Sequence, residues 1–361
     1  MQNLDSDSED ELPPGWEEKS TEDGNVYYVN ICSKKIQWTH PRTGSKKVIP
    51  KELPFGWSKT VDLEGKTVYK HQETGNTTYI DPRLAFAKEE KKHTHDFRQR
   101  FDASSTAFQI LHGVDLSGKY ALITGSNVGI GYETAKSLAR HGCKIIFANR
   151  NIEATQQAIN TIVKETNALE DNLTAIHLDL ASLKSVKKCA FTVKTLFSEF
   201  ANLKNVFTSQ NIAMSKDHYS SMMAYNNSKL YNVITAKILS EEWKGKGINV
   251  SSLHPGNMVY TNLSNSWWLF RLAFFIVRPF TKSLQQAAAT TVYAATASEL
   301  EGVTGLYFNN CFYCPESALA RDKDIANEVF AISLRLIQAR VGTEDIQLYL
   351  DKYASKKKDN P

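Results

Sequence analysis

The stretch Tyr120 to Gly131, Y-A-L-I-T-G-S-N-V-G-I-G, constrains this chain most. Its short apolar run, Tyr120 to Ile123, predicts a buried strand. The run breaks into Thr124-Gly125 and a loop closed by Gly129 and Gly131, and Tyr132 to His141 then carries a helical pattern. Strand, glycine loop and helix together suit a nucleotide pyrophosphate. Glycines permit the tight turn and a close backbone approach, and a helix N-terminus offers N–H groups and a favourable dipole. A glycine-rich turn after a strand is equally often an ordinary turn, so its surroundings must decide.

Those surroundings alternate. Lys144–Ala148 and Leu173–Leu178 read as buried strands, and Asn151–Thr166 and Leu183–Phe200 as helices. Such alternation predicts an α/β domain with a doubly wound, Rossmann-like parallel sheet. Arg150 lies 19 residues past Gly131 (150 − 131), at the end of the second strand. An acid there would take a ribose 2′-hydroxyl and favour NAD. An arginine offers a planar cationic fork to a 2′-phosphate and favours NADP, unless it is an ordinary surface arginine. Further on, Tyr225 opens a helix running through Ala236, and Lys229 shares its face at i, i+4. A strand over Ile248–Leu253 follows, then His254-Pro255-Gly256 and Thr261.

The spacing G-x-x-x-G-x-G after Thr, the Y-x-x-x-K helix, and Pro-Gly with a Thr five residues on resemble the short-chain dehydrogenase/reductase family. The resemblance implies that Thr124, Gly125, Ser126, Asn127, Gly129, Ile130 and Gly131 line the dinucleotide phosphates. It sets Asp179 near the adenine and Pro255, Gly256 and Thr261 near the nicotinamide. Tyr225 becomes the general acid/base. A free tyrosine has a pKa near 10, too high for neutral pH. The Lys229 charge lowers it, and Lys229 also holds the nicotinamide ribose. NADP is the expected cofactor, and no metal is expected. Phe270–Phe280 would cover an apolar, steroid- or retinoid-like substrate, or equally be a buried helix. Ser283–Ala297, rich in small residues, reads as a helix packed on the sheet or on a second subunit.

The first eighty residues repeat with an offset of 41: Pro13 matches Pro54, Trp16 Trp57, Gly24 Gly65, Trp38 Tyr79 and Pro41 Pro82. Each copy predicts a three-stranded antiparallel meander. Both resemble WW domains. In the first copy the resemblance has Trp16, Tyr28 and Pro41 clasp as the core. Strand alternation puts Tyr27, Val29 and Ile31 on the other face, beside Trp38. Tyr27 and Trp38 would be parallel walls gripping prolines of a polyproline II ligand, with Val29 beside them. Proline-rich, Pro-Pro-x-Tyr-like proteins are the expected partners. Ile31 stands where the family has a ligand-facing His, which puts the tyrosine in question more than the prolines. In the second copy Val68, Tyr79 and Gln72 replace the ligand-facing positions, so it reads as mainly structural.

The domains expected are an acidic disordered tail over 1–11, WW copies over 12–45 and 53–86, a charged linker over 87–105 and the α/β domain from 106. Hydrophobic residues at 42% suffice for a core, and a net charge of +4 gives no nucleic-acid signal. The acidic start has no secretory pattern, and Trp267–Phe280 is interrupted by Arg271 and Arg278, against a membrane span. Lys46-Lys47 reads as a solvated linker rather than a nuclear signal. Five cysteines suit a reducing compartment, and Cys311-x-x-Cys314 reads as coincidence. Cytoplasmic placement with nuclear and mitochondrial pools is expected, and the resemblance to proteins that join WW domains to a short-chain dehydrogenase/reductase domain implies roles in apoptosis and tumour suppression.

One segment is short. Between the helix ending at Phe200 and Tyr225 lie 24 residues, 201–224. Two strands, a helix and their connections need roughly 35. None of Ser209, Ser215, Ser220 or Ser221 ends a strand-like run, so no catalytic Ser is assigned. The sheet is expected to lack its strands 4 and 5. Two readings follow: a proline-binding adaptor joined to an NADP-dependent oxidoreductase, or the same adaptor joined to an inactive scaffold.

Overall fold

The computed structural model describes residues 11–89, 99–196, 221–256 and 281–341. The chain forms two compact units. The first runs to Asp96 and takes in His112–Asp115, and the second holds the remainder.

In the first unit, β1 (Trp16–Ser20), β2 (Val26–Asn30) and β3 (Ile36–Gln37) form one antiparallel meander. β5 (Trp57–Val61), β6 (Thr67–His71) and β7 (Thr77–Thr78) form the other. Gly24 at φ +87° and Gly65 at φ +81° turn the first hairpin of each. The repeat read in the sequence is thus a repeat of structure. Its ends are less independent than the sequence suggests. β4 (Lys47–Val48) pairs with β8 (Lys88–Glu89), at the start of the stretch expected to be linker. The first meander's core is Val26, Tyr28 and Ile49, with Leu12, Trp16, Leu84 and Ala87 packed against it. Trp16 and Tyr28 lie there as expected, whereas Ile49 comes from the connection between the copies, Leu84 from the end of the second copy and Ala87 from just beyond it. A short 3₁₀ turn, Pro82–Phe86, carries Arg83 into a buried ion pair with Asp81.

The second unit has two sheets. β9 (Tyr120–Thr124), β10 (Lys144–Asn149) and β11 (Leu173–His177) run parallel in the order β11-β10-β9. α1 (Ala107–Ile110), α2 (Gly129–Arg140), α3 (Ile152–Thr166) and α4 (Leu183–Leu196) accompany them. After α5 (Ser221–Glu242), β12 (Ser252–His254) lies parallel to β13 (Tyr307–Asn309), which turns back into β14 (Phe312–Cys314). α6 (Leu284–Thr296) precedes β13, and α7 (Ala318–Arg321) and α8 (Lys323–Val341) follow β14.

The expected buried first strand is corrected. In β10 every residue but Lys144 is buried, whereas in β9 Leu122 and Thr124 are exposed and the rest half-buried. Among the described residues β9 pairs with β10 alone. A strand is buried along its length only where it has neighbours on both edges. The expected strand over Ile248–Leu253 shortens to Ser252–His254. The Val250 N–H goes to the Thr304 side chain at 2.9 Å instead of to a ladder partner. Tyr225 does not open its helix, which already begins at Ser221.

α6 ties the two sheets together. Its Ala287, Ala288 and Ala289 are buried, and it packs on α1, α2, β12 and β13. Gln285 donates to Glu133 and Ser137 of α2. The small residues let the helices approach closely, and this is the intrachain one of the two packings expected. α5 packs through Ile234 and Ile238 on Ala326 and Phe330 of α8. Cys311 lies in the hairpin turn between β13 and β14, where it and Asn310 both take left-handed φ, and Cys314 ends β14. Both thiols are free, and burial pushes the Cys311 thiol up. Ser209, Ser215, Ser220, Thr261 and Phe270–Phe280 lie outside the described residues. No described helix is long and apolar enough to cross a membrane.

Candidate functional site: a glycine cradle, a Tyr–Lys helix and an aromatic face

The glycine loop joins β9 to α2. Gly125 (φ +65°) and Gly129 (φ +64°) are left-handed, with open space where a Cβ would stand. Gly131 is required for another reason: a Cβ there would run into the backbone of Gly125 and Ser126. α2 starts at Gly129 from Val128, which gives its first turn no side-chain cap. Uncapped N–H groups beside two open glycines are a concave cradle for an anion.

The loop is held from beneath by a group that sequence reading missed. Asn149, 4% exposed at the end of β10, accepts the Ser126 N–H at 2.8 Å. Its amide donates to Ser126 Oγ and to Thr155 Oγ1, both at 3.1 Å. Ser126 Oγ in turn donates to the Ile123 carbonyl at 2.9 Å. Ser126 therefore faces inward and braces the loop rather than lining the cradle. A polar residue closing an otherwise apolar buried strand was the signal available. We expect Asn149→Ala to lower the melting temperature of the second unit by several degrees, because it strands a buried Ser126 N–H at a cost of about 1–3 kcal/mol. Calorimetry checks it.

Arg150 is exposed at the C-terminal end of β10, and Asn151 beside it caps α3. Asp179 follows β11, accepting the Ala181 N–H at 3.0 Å while its own N–H goes to Ser185 Oγ at 3.0 Å. Parallel order thus brings the glycine loop, Arg150 and Asp179 to the same ends of neighbouring strands. An open cleft of about 450 Å³ between loop and α3 is lined by Asn127, Val128, Gly129, Tyr132, Gln157 and Thr161, among others. Thr124 ends β9 and Ile130 is half-buried in the first turn of α2.

The second cluster belongs to the other sheet. Tyr225 is 53% exposed, and Lys229 Nζ lies 5.2 Å from its ring centroid. The i, i+4 juxtaposition is as expected; the ammonium sits over the ring face. Pro255-Gly256 follows β12, and the Gly256 N–H, at φ +102°, donates to His254 Nδ1 at 3.0 Å. Lys282, another residue missed in the sequence, packs its side chain against Gly256 and donates to Asn310 Oδ1 at 2.6 Å. Burial lowers the Lys282 ammonium pKa.

In the first unit Tyr27 and Trp38 meet on the open face of the first meander, ring centroids 5.7 Å apart. Their planes are tilted by 55°, not parallel as expected. Ring quadrupoles favour tilted contacts over face-to-face ones. Val29 lies between Tyr27 and Ile31 and pairs with Ile36.

A short chain dehydrogenase family model matches residues 119–213, and a WW domain model matches residues 12–41. A WW domain-containing oxidoreductase of Drosophila melanogaster is 46% identical over 403 positions, covering 94% of this chain and 98% of that relative. The chain belongs to the WW domain-containing oxidoreductase family. The Homo sapiens WW domain-containing oxidoreductase is 37% identical, over 94% of this chain and 97% of its own. Mus musculus retinol dehydrogenase 12 is 26% identical over 62% of this chain and 88% of its length. Among solved structures, Gluconobacter frateurii L-sorbose reductase complexed with NADPH and L-sorbose aligns with a TM-score of 0.43 at 17% identity, over 54% of this chain and 95% of that one. The alignment with the Drosophila WW domain-containing oxidoreductase is longer than this chain, so at least 42 of its positions (403 − 361) hold no residue here.

Proposed function

We propose that this chain is an adaptor. Its first WW domain binds proline-rich, Pro-Pro-x-Tyr-like segments, and its large domain is an NADP-binding, short-chain oxidoreductase-like module. The pair of half-buried Tyr27 and exposed Trp38 carries the reading. The meander's other face already holds its core, so these rings have no packing task there. Trp38→Ala or Tyr27→Arg should weaken binding of a proline-rich peptide by about 2 kcal/mol, roughly thirtyfold, by fluorescence polarisation. Unchanged binding in both would end the adaptor reading.

The cradle of Gly125, Gly129 and Gly131 fits a dinucleotide's phosphates, and exposed Arg150 suits a 2′-phosphate. Thr124, Asn127, Ile130 and Asp179 would line the rest of that half. Pro255 and Gly256 would line the nicotinamide end. The cofactor, when bound, supplies hydride. Tyr225 would hold or release the proton at its phenolic oxygen, with Lys229 one helical turn away beside its ring. Apolar alcohols and ketones, steroid- or retinoid-like, are the proposed substrates; the likeness to retinol dehydrogenase 12 supports the class. The thermal transition should rise more with NADP than with NAD. Equal shifts would remove Arg150 from the reading.

A second reading has its own observation. β9 leaves Leu122 exposed, and Tyr225 stands half in solvent instead of in an enclosed cleft. Proton transfer gains from water exclusion, so the large domain would bind nucleotide without turnover and act as a scaffold. NADPH oxidation with retinoid or steroid carbonyls, abolished by Tyr225→Phe, would overturn it. Roles in apoptosis and tumour suppression, and cytoplasmic, nuclear and mitochondrial pools, are proposed from family membership alone.

A further inference from the structure

We propose that Lys282 is a cofactor-binding residue whose ammonium donates to the carboxamide oxygen of the nicotinamide. This rests on the nucleotide-binding reading above and carries it to a residue outside both the glycine loop and the Tyr225–Lys229 helix.

Two elements fix the ammonium. Lys282 stands immediately before Ser283, which caps α6 through a capping box with Gln286. Its backbone is therefore set by the start of a packed helix. At the other end Nζ donates to Asn310 Oδ1 at 2.6 Å. Asn310 lies in the turn between β13 and β14, at φ +53°. The next residue, Cys311, ties that turn back to α6, its N–H donating to Thr290 Oγ1 at 3.2 Å, and both residues are buried. Between these anchors the side chain lies along Gly256, where a Cβ would stand 2.7 Å from Lys282 Nζ and Cδ. Gly256 thus meets two demands, a left-handed φ of +102° and a lysine in the space of its missing side chain.

The charge is not matched within the protein. Among the described residues Lys282 makes no ion pair, and Asn310 is its one hydrogen-bond acceptor. Asp102 acts on it only from a distance, its Oδ1 accepting from Ser104 and Ser105 instead. Burial lowers the ammonium pKa, as befits a cation short of water and of a counter-ion. An ammonium carries three N–H donors, so donors remain after Asn310 takes one. They lie at the turn that the nucleotide reading sets beside the nicotinamide ring. The carboxamide is that ring's one hydrogen-bonding group. A bond from an ammonium to its oxygen is charge-assisted, and is stronger where water is partly excluded.

The test is isothermal titration calorimetry of the full chain with NADP and with 2′-phospho-ADP-ribose, the same nucleotide without its nicotinamide ring. Lys282→Met keeps an unbranched side chain against Gly256 and removes the charge. It should weaken NADP binding about tenfold, leave 2′-phospho-ADP-ribose unmoved and keep the melting temperature of the free protein. Asn310→Gly, which suits the left-handed turn and removes the acceptor that aims the ammonium, should give a smaller loss confined to NADP. Equal weakening of both ligands in Lys282→Met, or of neither, overturns the assignment and leaves the glycine cradle standing. If the unaltered chain binds neither ligand, the nucleotide reading falls and this inference with it.

Discussion

Arg83→Ala should destabilise the first unit by about 3 kcal/mol, enough to lower its melting temperature by more than 10 °C. Arg83 is 9% exposed and meets Asp81 as a fork: Nε lies 3.1 Å from both carboxylate oxygens and Nη2 2.7 Å from Oδ2. Its Nη1 donates to the Lys51 carbonyl at 3.1 Å. Asp81 also accepts the Ser20 hydroxyl at 2.8 Å, so the cluster ties the first meander, the connection and the end of the second meander together. Truncation leaves a buried carboxylate and a carbonyl without their donor, which is why it costs more than the net worth of the pair. The double replacement Asp81→Leu/Arg83→Met, which removes both charges, should be far milder. If the single and double variants melt alike, the buried charge is not the cause.

The same carboxylate sets an acid limit. Burial would raise the Asp81 pKa, but hydrogen bonds from the Arg83 side chain and N–H and from Ser20 outweigh it and hold the value below the ordinary range. A depressed carboxylate contributes stability above its unfolded pKa, about 3.9, and loses it as pH falls through the folded value. The first unit should therefore weaken below about pH 4. The dependence should be reduced in Asp81→Asn, followed by urea denaturation across pH.

Gly131→Ala should abolish the NADP-induced thermal shift of the second unit and raise the NADP dissociation constant at least about a hundredfold, near 3 kcal/mol. The reason is contact, not dihedral freedom. Gly131 is not left-handed, yet its Cβ would meet the Gly125 backbone and stand 3.2 Å from Ser126 Cα. Neither neighbour can yield easily, because Asn149 holds Ser126 from beneath. The loop would have to lift from β10, carrying its N–H groups off the cradle. Gly125→Ala provides the contrast: with open space around it, it meets only the left-handed backbone penalty of about 1–2 kcal/mol. Circular dichroism should show the helices retained in both. NADP affinity surviving Gly131→Ala would sink the account.

What the sequence revealed was what short-range pattern encodes. The glycine spacing, the alternation from Lys144 to Leu196 and the 41-residue repeat all come from neighbours within one turn or hairpin, and each appears in the structure. Burial of β9 was misjudged because an apolar run shows what a strand could face and not whether a second neighbour is there. Asn149 escaped because an Asn before an Arg reads as a loop start, and the two partners of its side chain, Ser126 and Thr155, lie 23 and 6 residues away. The tilt of Tyr27 against Trp38 was out of reach because alternation gives the face and not the ring plane. Ile49 lies in the connection between the copies and Leu84 and Ala87 in a short apolar run at the end of the second, stretches too short for periodicity to mark them as core.

Those three residues also govern timing during synthesis. Tyr28 and Val26 find their full core only when Leu84 and Ala87 have been made, some sixty residues later. A meander of 30 residues that folded by itself would be ready as soon as it left the ribosome. Here the face bearing Tyr27 and Trp38 would wait for the second repeat and for the strand at Lys88–Glu89. Loop closure of that length slows folding and leaves apolar surface open meanwhile. Exposed Ile31 and Ile36, with half-buried Val29 beside them, would then meet other chains before the sheet beneath is secure. The first WW copy cut out alone, ending near residue 45, would have to pass every assay in that unfinished state.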